Sequence, residues 1–287
     1  LTIFLTLVFV LTPLCCLKHI DSLAISSAIS VLLAVLFVVL STCIALVKLV
    51  MGDLEMPRLL PETSSILDLL VVIPIMTNAF ICHFNVHPIY KELHHRTPET
   101  MTKVGRISTL LCVVIYAMTA ISGYLLFGES TASDVLTNFD KNLGIRYSSL
   151  LNGVIRIGYV VHLMLVFPVI HFSLRQTVDS FFFPESSQSK WRFAWITGSM
   201  LTLVYLGSAF IPNIWIAFQF TGATTGLSLG FVFPALVGIR WWNMLDVGVR
   251  KQNIIFFGSW SMLIMAVVVS FMGIVGNVLS LVRGWDN

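Results

Sequence analysis

From Leu23 to Val50 the chain runs almost wholly through Leu, Ile, Val, Ala, Phe and Ser, and meets no charged residue before Lys48. A helix needs about 20 mainly apolar residues to cross some 30 Å of hydrocarbon, so this run is long enough to span a bilayer. It has company. Seven other segments read the same way: about Leu1–Leu17, Ile66–Tyr90, Gly105–Phe127, Ser148–Leu174, Trp191–Ile211, Ile214–Ile239 and Ile254–Val282. Taken in chain order, these eight segments leave polar stretches too short for a separate soluble domain. Segments six and seven are parted only by Pro212–Asn213, which predicts a tight hairpin. Runs such as Val31–Leu40 and Met262–Val269 do not alternate polar and apolar residues, so a membrane β-barrel is disfavoured. The fold class expected is all-α and polytopic.

Composition agrees. Of 287 residues, 57% are apolar and 11% charged, and mean hydropathy is +0.91. A soluble domain carries about 25% charged residues. Soluble enzymes, nucleic-acid binders and disordered chains are therefore excluded. The five cysteines sit in apolar runs with no CxxC spacing, so they define neither a disulfide framework nor a compartment. The chain opens at Leu1 inside an apolar run, without initiator Met or a basic n-region, and we expect a fragment or an incomplete gene model.

Lys and Arg in the loops set orientation. The side of the first loop holds Lys18, Lys91, Arg96, Lys103, Arg106, Arg175, Lys190, Arg192, Arg240, Arg250 and Lys251. The other side holds Lys48, Arg58, Lys141, Arg146 and Arg283. This asymmetry of eleven against five places Lys91–Arg106 in the cytosol and Gly128–Tyr147 outside or in a lumen. It also puts the first residue outside, which an odd number of preceding helices would explain.

Polar groups at membrane depth are candidates for function, because leaving them unpaired in hydrocarbon is costly. Segment three holds Pro74, Thr77, Asn78, Ala79 and Phe80. Two readings fit: a helix broken near Pro74 whose freed backbone groups bind a substrate, or a Pro-kinked helix whose Thr and Asn satisfy neighbours. His83 and His87 stand at i and i+4 beside Cys82, a spacing that suits zinc on one helical face, but with no HExxH an interfacial polar role is the favoured reading and no metal site is expected. Segment five carries Asn152, Arg156, Tyr159 and His162. Arg156 either meets an anionic substrate, gates a cavity or makes a structural ion pair. His162 either relays protons or packs. In segment seven Thr221, Thr224, Thr225 and Ser228 lie among Gly222, Gly226 and Gly230, as part of a site or as a packing seam of small residues.

Five stretches carry a family resemblance: IPIMTNAFICHFNVHPIYKEL (Ile73–Leu93), FPVIHFSLR (Phe167–Arg175), WRF (Trp191–Phe193), IPNIWIAFQFTGATTG (Ile211–Gly226) and FVFPALVGIR (Phe231–Arg240). They resemble the amino acid/auxin permease superfamily, above all plant vacuolar-type amino acid transporters and the related sodium-coupled neutral amino acid transporters. The resemblance implies eleven membrane helices in an inverted five-plus-five repeat, with substrate between broken first and sixth helices. The eight segments then match helices four to eleven, the first three are absent, and residues 1–287 form one partial transporter domain. It implies a substrate site with Thr77, Asn78, Ala79, Phe80 and Thr224, beside which Arg156 and His162 of segment five stay candidates for ion coupling or gating. The expected activity is secondary transport of an amino acid, with no covalent chemistry, no cofactor and no nucleic-acid partner, in a vacuolar or other endomembrane. The rival from another class is an amino acid sensor on the same fold. A membrane enzyme is disfavoured, since no nucleophile–base pair stands at membrane depth, and a seven-helix receptor fits eight segments poorly. Sodium-coupled relatives place a hydroxyl about one turn before a Pro in the helix matching segment five. Before Pro168 this chain has Met164, Leu165, Val166 and Phe167, so the expectation is sodium independence with protons as the coupling ion.

Overall fold

A computed structural model of the chain describes residues 2–17, 21–54, 58, 66–132, 134–140, 143–145, 147–184, 189–210, 214–242 and 249–285. Every element among them is helical. We label them α1 (Thr2–Cys15), α2 (Asp21–Met51), α3 (Ile66–Phe80), α4 (Val86–Glu92), α5 (Pro98–Phe127), α6 (Ser148–Phe182), α7 (Lys190–Phe210), α8 (Ile214–Trp241) and α9 (Val249–Trp285). Six are long and apolar enough to span a membrane: α2, α5, α6, α7, α8 and α9. Of the eight expected segments, the remaining two are the short α1 and segment three, which is split into α3 and α4. Large side chains such as Leu32, Ile107, Leu203 and Phe257 lie on outer faces, two-thirds or more exposed. Lipid accommodates such a surface and water does not.

The spans extend past the apolar runs. Segment four is expected from Gly105, but α5 starts at Pro98. The sequence Thr97-Pro98-Glu99 explains this: the Thr97 hydroxyl accepts from the Thr100 N–H at 3.2 Å, Pro98 needs no donor in the first turn, and Glu99 faces the positive helix end. Segment five likewise continues to Phe182, so Arg175 belongs to a helix and not to a loop. The Pro212–Asn213 hairpin, Lys18, Lys141, Arg146 and the side chains of Arg250, Lys251 and Arg283 lie outside the described residues.

Of three π stretches among the described residues, two share a reason. Thr12 precedes Pro13 and donates its N–H to Leu7 O; Phe233 precedes Pro234 and donates to Ser228 O. Proline's ring crowds the carbonyl four residues back, and the ladder upstream relaxes to i→i−5 pairing.

The chain divides into two compact units. The first comprises Leu1–Leu59 and Thr102–Phe210, hence α1, α2, α6, α7 and nearly all of α5. Its core joins Phe37, Val38 and Ile44 of α2 to Leu126 of α5, Ile155 of α6 and Phe139 of the intervening loop. Ser41 and Ser122 share a buried 3.1 Å hydrogen bond between α2 and α5. Arg175, 3% exposed, donates to Cys15 O at 2.6 Å and Leu17 O at 3.0 Å, and its guanidinium lies 4.3 Å from the Phe193 ring centre. It therefore satisfies carbonyls left open at the end of α1.

The second unit comprises Leu60–Met101 and Ile211–Asn287, hence α3, α4, α8 and α9. Here α3 crosses Gly222 of α8 and Gly273 of α9 at the buried Pro74. A β-carbon on Gly222 would lie 2.1 Å from Pro74 O, and one on Gly273 would lie 2.9 Å from Pro74 Cγ.

Two outcomes follow for stability in the full-length protein. Gly222→Ala forces backbone apart and should destabilise by about 1–3 kcal/mol, lowering Tm in detergent, whereas Gly258→Ala, with open space around it, should not. Arg175→Met leaves the Cys15 and Leu17 carbonyls buried without this donor, and should likewise lower Tm by an amount equivalent to about 1–3 kcal/mol.

Candidate functional site

The site is set by where α3 stops. Pro74 lies inside α3 and the helix continues through it to Phe80. The interruption falls two turns later, at Ile81–Cys82, and is followed by a single 3₁₀ turn, His83–Asn85, before α4 begins at Val86. This corrects the expected break near Pro74, and Pro88 supplies the reason. A continuous helix through this region would drive the Pro88 ring against the Phe84 carbonyl and find no N–H to pair with it. With Asn85 as N-cap, Pro88 instead falls in the first turn of α4, where proline is tolerated. The backbone across the gap makes 3₁₀-type contacts, Ile81 N–H to Asn78 O at 3.4 Å and Asn85 N–H to Cys82 O at 3.0 Å.

The interruption lies along a ladder of glycines on α8. A β-carbon on Gly226 would come 2.9 Å from Ile81 Cδ1 and 3.9 Å from Asn78 Cα. One on Gly230 would lie 3.9 Å from both Thr77 Cγ2 and His83 Cε1, one residue on each side of the gap. Gly222, Ala223 and Gly226 are buried, and Ser270 of α9 donates its hydroxyl to Ala223 O. Of the two readings of segment seven, the packing seam describes its glycine face. The hydroxyl residues lie elsewhere: Thr224 and Thr225 are exposed, and Thr224 Oγ1 donates to Phe220 O at 2.7 Å.

Thr77, Asn78, Ala79 and Phe80 thus form the last turn of α3, immediately before the gap. The Thr77 hydroxyl donates to Ile73 O at 2.9 Å, within its own helix. Asn78 is half-buried, and its side-chain amide makes no hydrogen bond among the described residues. These four residues are brought together by the structure; Thr224 is not on the α8 face that meets them. His83 belongs to the 3₁₀ turn and His87 to α4, so the one-helix geometry behind a zinc reading does not hold. Among the described residues no three His, Cys, Asp or Glu side chains group as metal ligands.

Arg156 and His162 belong to α6, in the other unit. Arg156 makes an ion pair with Asp140 of the preceding loop, both side chains being about half exposed. His162 Nδ1 lies 2.7 Å from Ser30 O of α2; a carbonyl only accepts, so Nδ1 carries a proton and Nε2 is the position left for another. Several buried polar residues carry no clear sequence signal, among them Arg175, which hydropathy places in a loop, and Asn277 of α9, 2% exposed, whose amide has no hydrogen-bond partner among the described residues. The only signal for Asn277 was an amide in an otherwise apolar run.

Residues 1–279 match the family described as transmembrane amino acid transporter protein. The chain is 55% identical to amino acid transporter AVT6E of Arabidopsis thaliana over 288 residues, covering 97% of this chain and 58% of that protein. It is 45% identical to AVT6A of the same plant, covering 83% and 53%, and 42% identical to AVT6C, covering 95% and 62%. The chain therefore spans about half to three fifths of the length of these curated relatives. No solved structure matches it. With its membrane-spanning helices and this match along nearly its whole length, the chain is an integral, multi-pass membrane protein and belongs to the transmembrane amino acid transporter family.

Proposed function

We propose that the complete protein carries an amino acid across a membrane by alternating access, and that the interruption after α3 supplies half of the substrate site. The observation that carries this reading is Asn78: an amide without a hydrogen bond among the described residues, in the last helical turn before a break, beside glycines that admit close backbone approach. Broken helices in secondary transporters bind charged substrate ends in this way, with helix termini facing the carboxylate and open carbonyls facing a cation. Thr77, Ala79 and Phe80 complete the wall. Because the Thr77 hydroxyl already donates to its own helix, it meets a ligand only as an acceptor. The relatives' printed names, amino acid transporters all, support the substrate class. The resemblance supports an endomembrane location such as the vacuole.

We infer further that coupling is to protons and not to sodium. A hard cation such as Na⁺ prefers oxygen ligands. The turn of α6 before the buried Pro168 offers only Met164, Leu165, Val166 and Phe167. His162 supplies the titratable group, with Nε2 as the atom that gains the proton.

Uptake of radiolabelled amino acids into proteoliposomes holding the full-length protein tests the first proposal. Saturable flux is expected; binding without flux identifies a sensor instead. Asn78→Leu should lose about 5- to 150-fold in apparent affinity, the loss of one buried hydrogen-bonding group. Wild-type KM and rate in that variant make segment three a packing element only.

For coupling, flux should survive replacement of Na⁺ by choline at fixed pH and should respond to a pH step at fixed salt. His162→Asn puts an amide donor at the Nδ1 position for Ser30 O and removes the titratable ring, so it should retain expression and lose the pH response. A collapse of flux in choline with no response to pH rejects both halves of the proposal.

A further inference from the structure

The loop between α5 and α6 builds a second polar cavity, of about 570 Å³, that includes no residue of α3 or α8. That volume lies within the range of small-molecule sites, about 300–1,000 Å³. Its walls include Asp140, Tyr147, Ser149, Asn152 and Arg156. The charged pair is held in place from behind. Phe139, next to Asp140, is 1% exposed and its ring packs on Phe127 and Phe37 at centroid distances of 5.2 and 6.2 Å. Asn138, 3% exposed, accepts from Ala132 N–H and donates to Ser130 O, both at 2.8 Å. Ser148 Oγ accepts from Leu143 N–H at 2.9 Å and closes the loop onto the first turn of α6. Asp140 is therefore a fixed anion beside a cation anchored in a 35-residue helix.

The geometry points to this cavity as a second binding site for a zwitterionic amino acid, with Arg156 receiving its carboxylate and Asp140 its ammonium group. The two side chains are about half exposed, and an ion pair that open to solvent contributes little, so either partner exchanges readily for a ligand group of the same charge. A simple anion would lie against Asp140, and a simple cation against Arg156. A molecule with both charges on one carbon satisfies both. Asn152, 8% exposed, lies on the same wall. A site with immobile charges gives up little freedom on binding. The identity of the ligand rests on the transport reading above; the site itself does not depend on Asn78.

The test uses purified full-length protein in a cysteine-free background with Ser149→Cys as reporter and Gly153→Cys as a second, both on the cavity wall; Ser149 is exposed and Gly153 has open space around it. The rate of N-ethylmaleimide labelling is measured with L-alanine, L-glutamine, propionate or L-alaninamide at equal millimolar concentration. We expect the two zwitterions to slow labelling several-fold and the single-charge analogues to leave it unchanged. Arg156→Gln and Asp140→Asn should each abolish protection, and Arg156→Lys should keep most of it, which separates loss of a ligand group from loss of folding. Asn78→Leu should keep protection even where uptake is lost, so the two proposals fail independently. Unchanged labelling with both zwitterions at both reporters overturns the inference. So does protection that survives Arg156→Gln or disappears in Asn78→Leu.

Discussion

The grip on Pro74 organises the second unit. A proline inside a membrane helix removes one donor and crowds the turn before it, and both effects need a neighbour that can come close. Gly222 and Gly273 supply that approach from α8 and α9, at separations where no other residue fits. Because the contact is backbone against backbone on one side, it fixes the height of α3 relative to α8. The rest of the ladder then follows: Gly226 falls beside Asn78 and Ile81, and Gly230 spans Thr77 and His83. The candidate site inherits its geometry from a packing contact two turns away.

Much of this was legible in the sequence, and the failures are specific. Apolar run length located every spanning helix, because the bilayer imposes a minimum that other environments do not. It misjudged their ends. Thr97-Pro98-Glu99 is a helix start in its own right, and hydropathy is blind to capping chemistry. Arg175 follows an apolar run, so hydropathy places it in a loop, yet it is buried and satisfies the carbonyls of Cys15 and Leu17. No local pattern announces a partner 160 residues away. Pro74 and Pro88 are both present in the motif, and sequence alone does not say which one breaks the helix: Pro74 is accommodated inside α3 by glycines that are distant in sequence, and Pro88 falls in the first turn of a new helix.

Site residues were harder to read for a reason that lies in the solvent. In a bilayer a hydroxyl without a partner is costly, and the nearest acceptor is the carbonyl one turn back. Thr119, Thr177, Thr202, Thr77 and Thr224 all donate to the carbonyl of residue i−4 at 2.7–2.9 Å. These Thr hydroxyls are satisfied within their own helices, so a Thr at membrane depth does not by itself mark a ligand. An amide differs. Its two donors and its acceptor exceed what one carbonyl can satisfy, so an Asn in a spanning helix demands something from outside the helix. That distinction ranks Asn78 above Thr77 and Thr224 in the candidate site.

The same reasoning separates Arg175 from Arg156 by kind. Arg175 is surrounded: carbonyls take its N–H groups, Phe172 and Phe193 flank its guanidinium at 5.4 and 4.3 Å, and it is 3% exposed. A cation so enclosed is structural, since any ligand would have to displace protein from it. Arg156 has the opposite setting: one carboxylate partner, half its side chain open, and a cavity in front. Both are arginines in one helix, nineteen residues apart in numbering. What divides them is what the surrounding backbone presents. At the end of α1 open carbonyls meet the arginine, and it is consumed by the fold; before α6, Asn138 and Ser148 take the Ala132, Ser130 and Leu143 backbone groups, and Arg156 faces a carboxylate and a cavity.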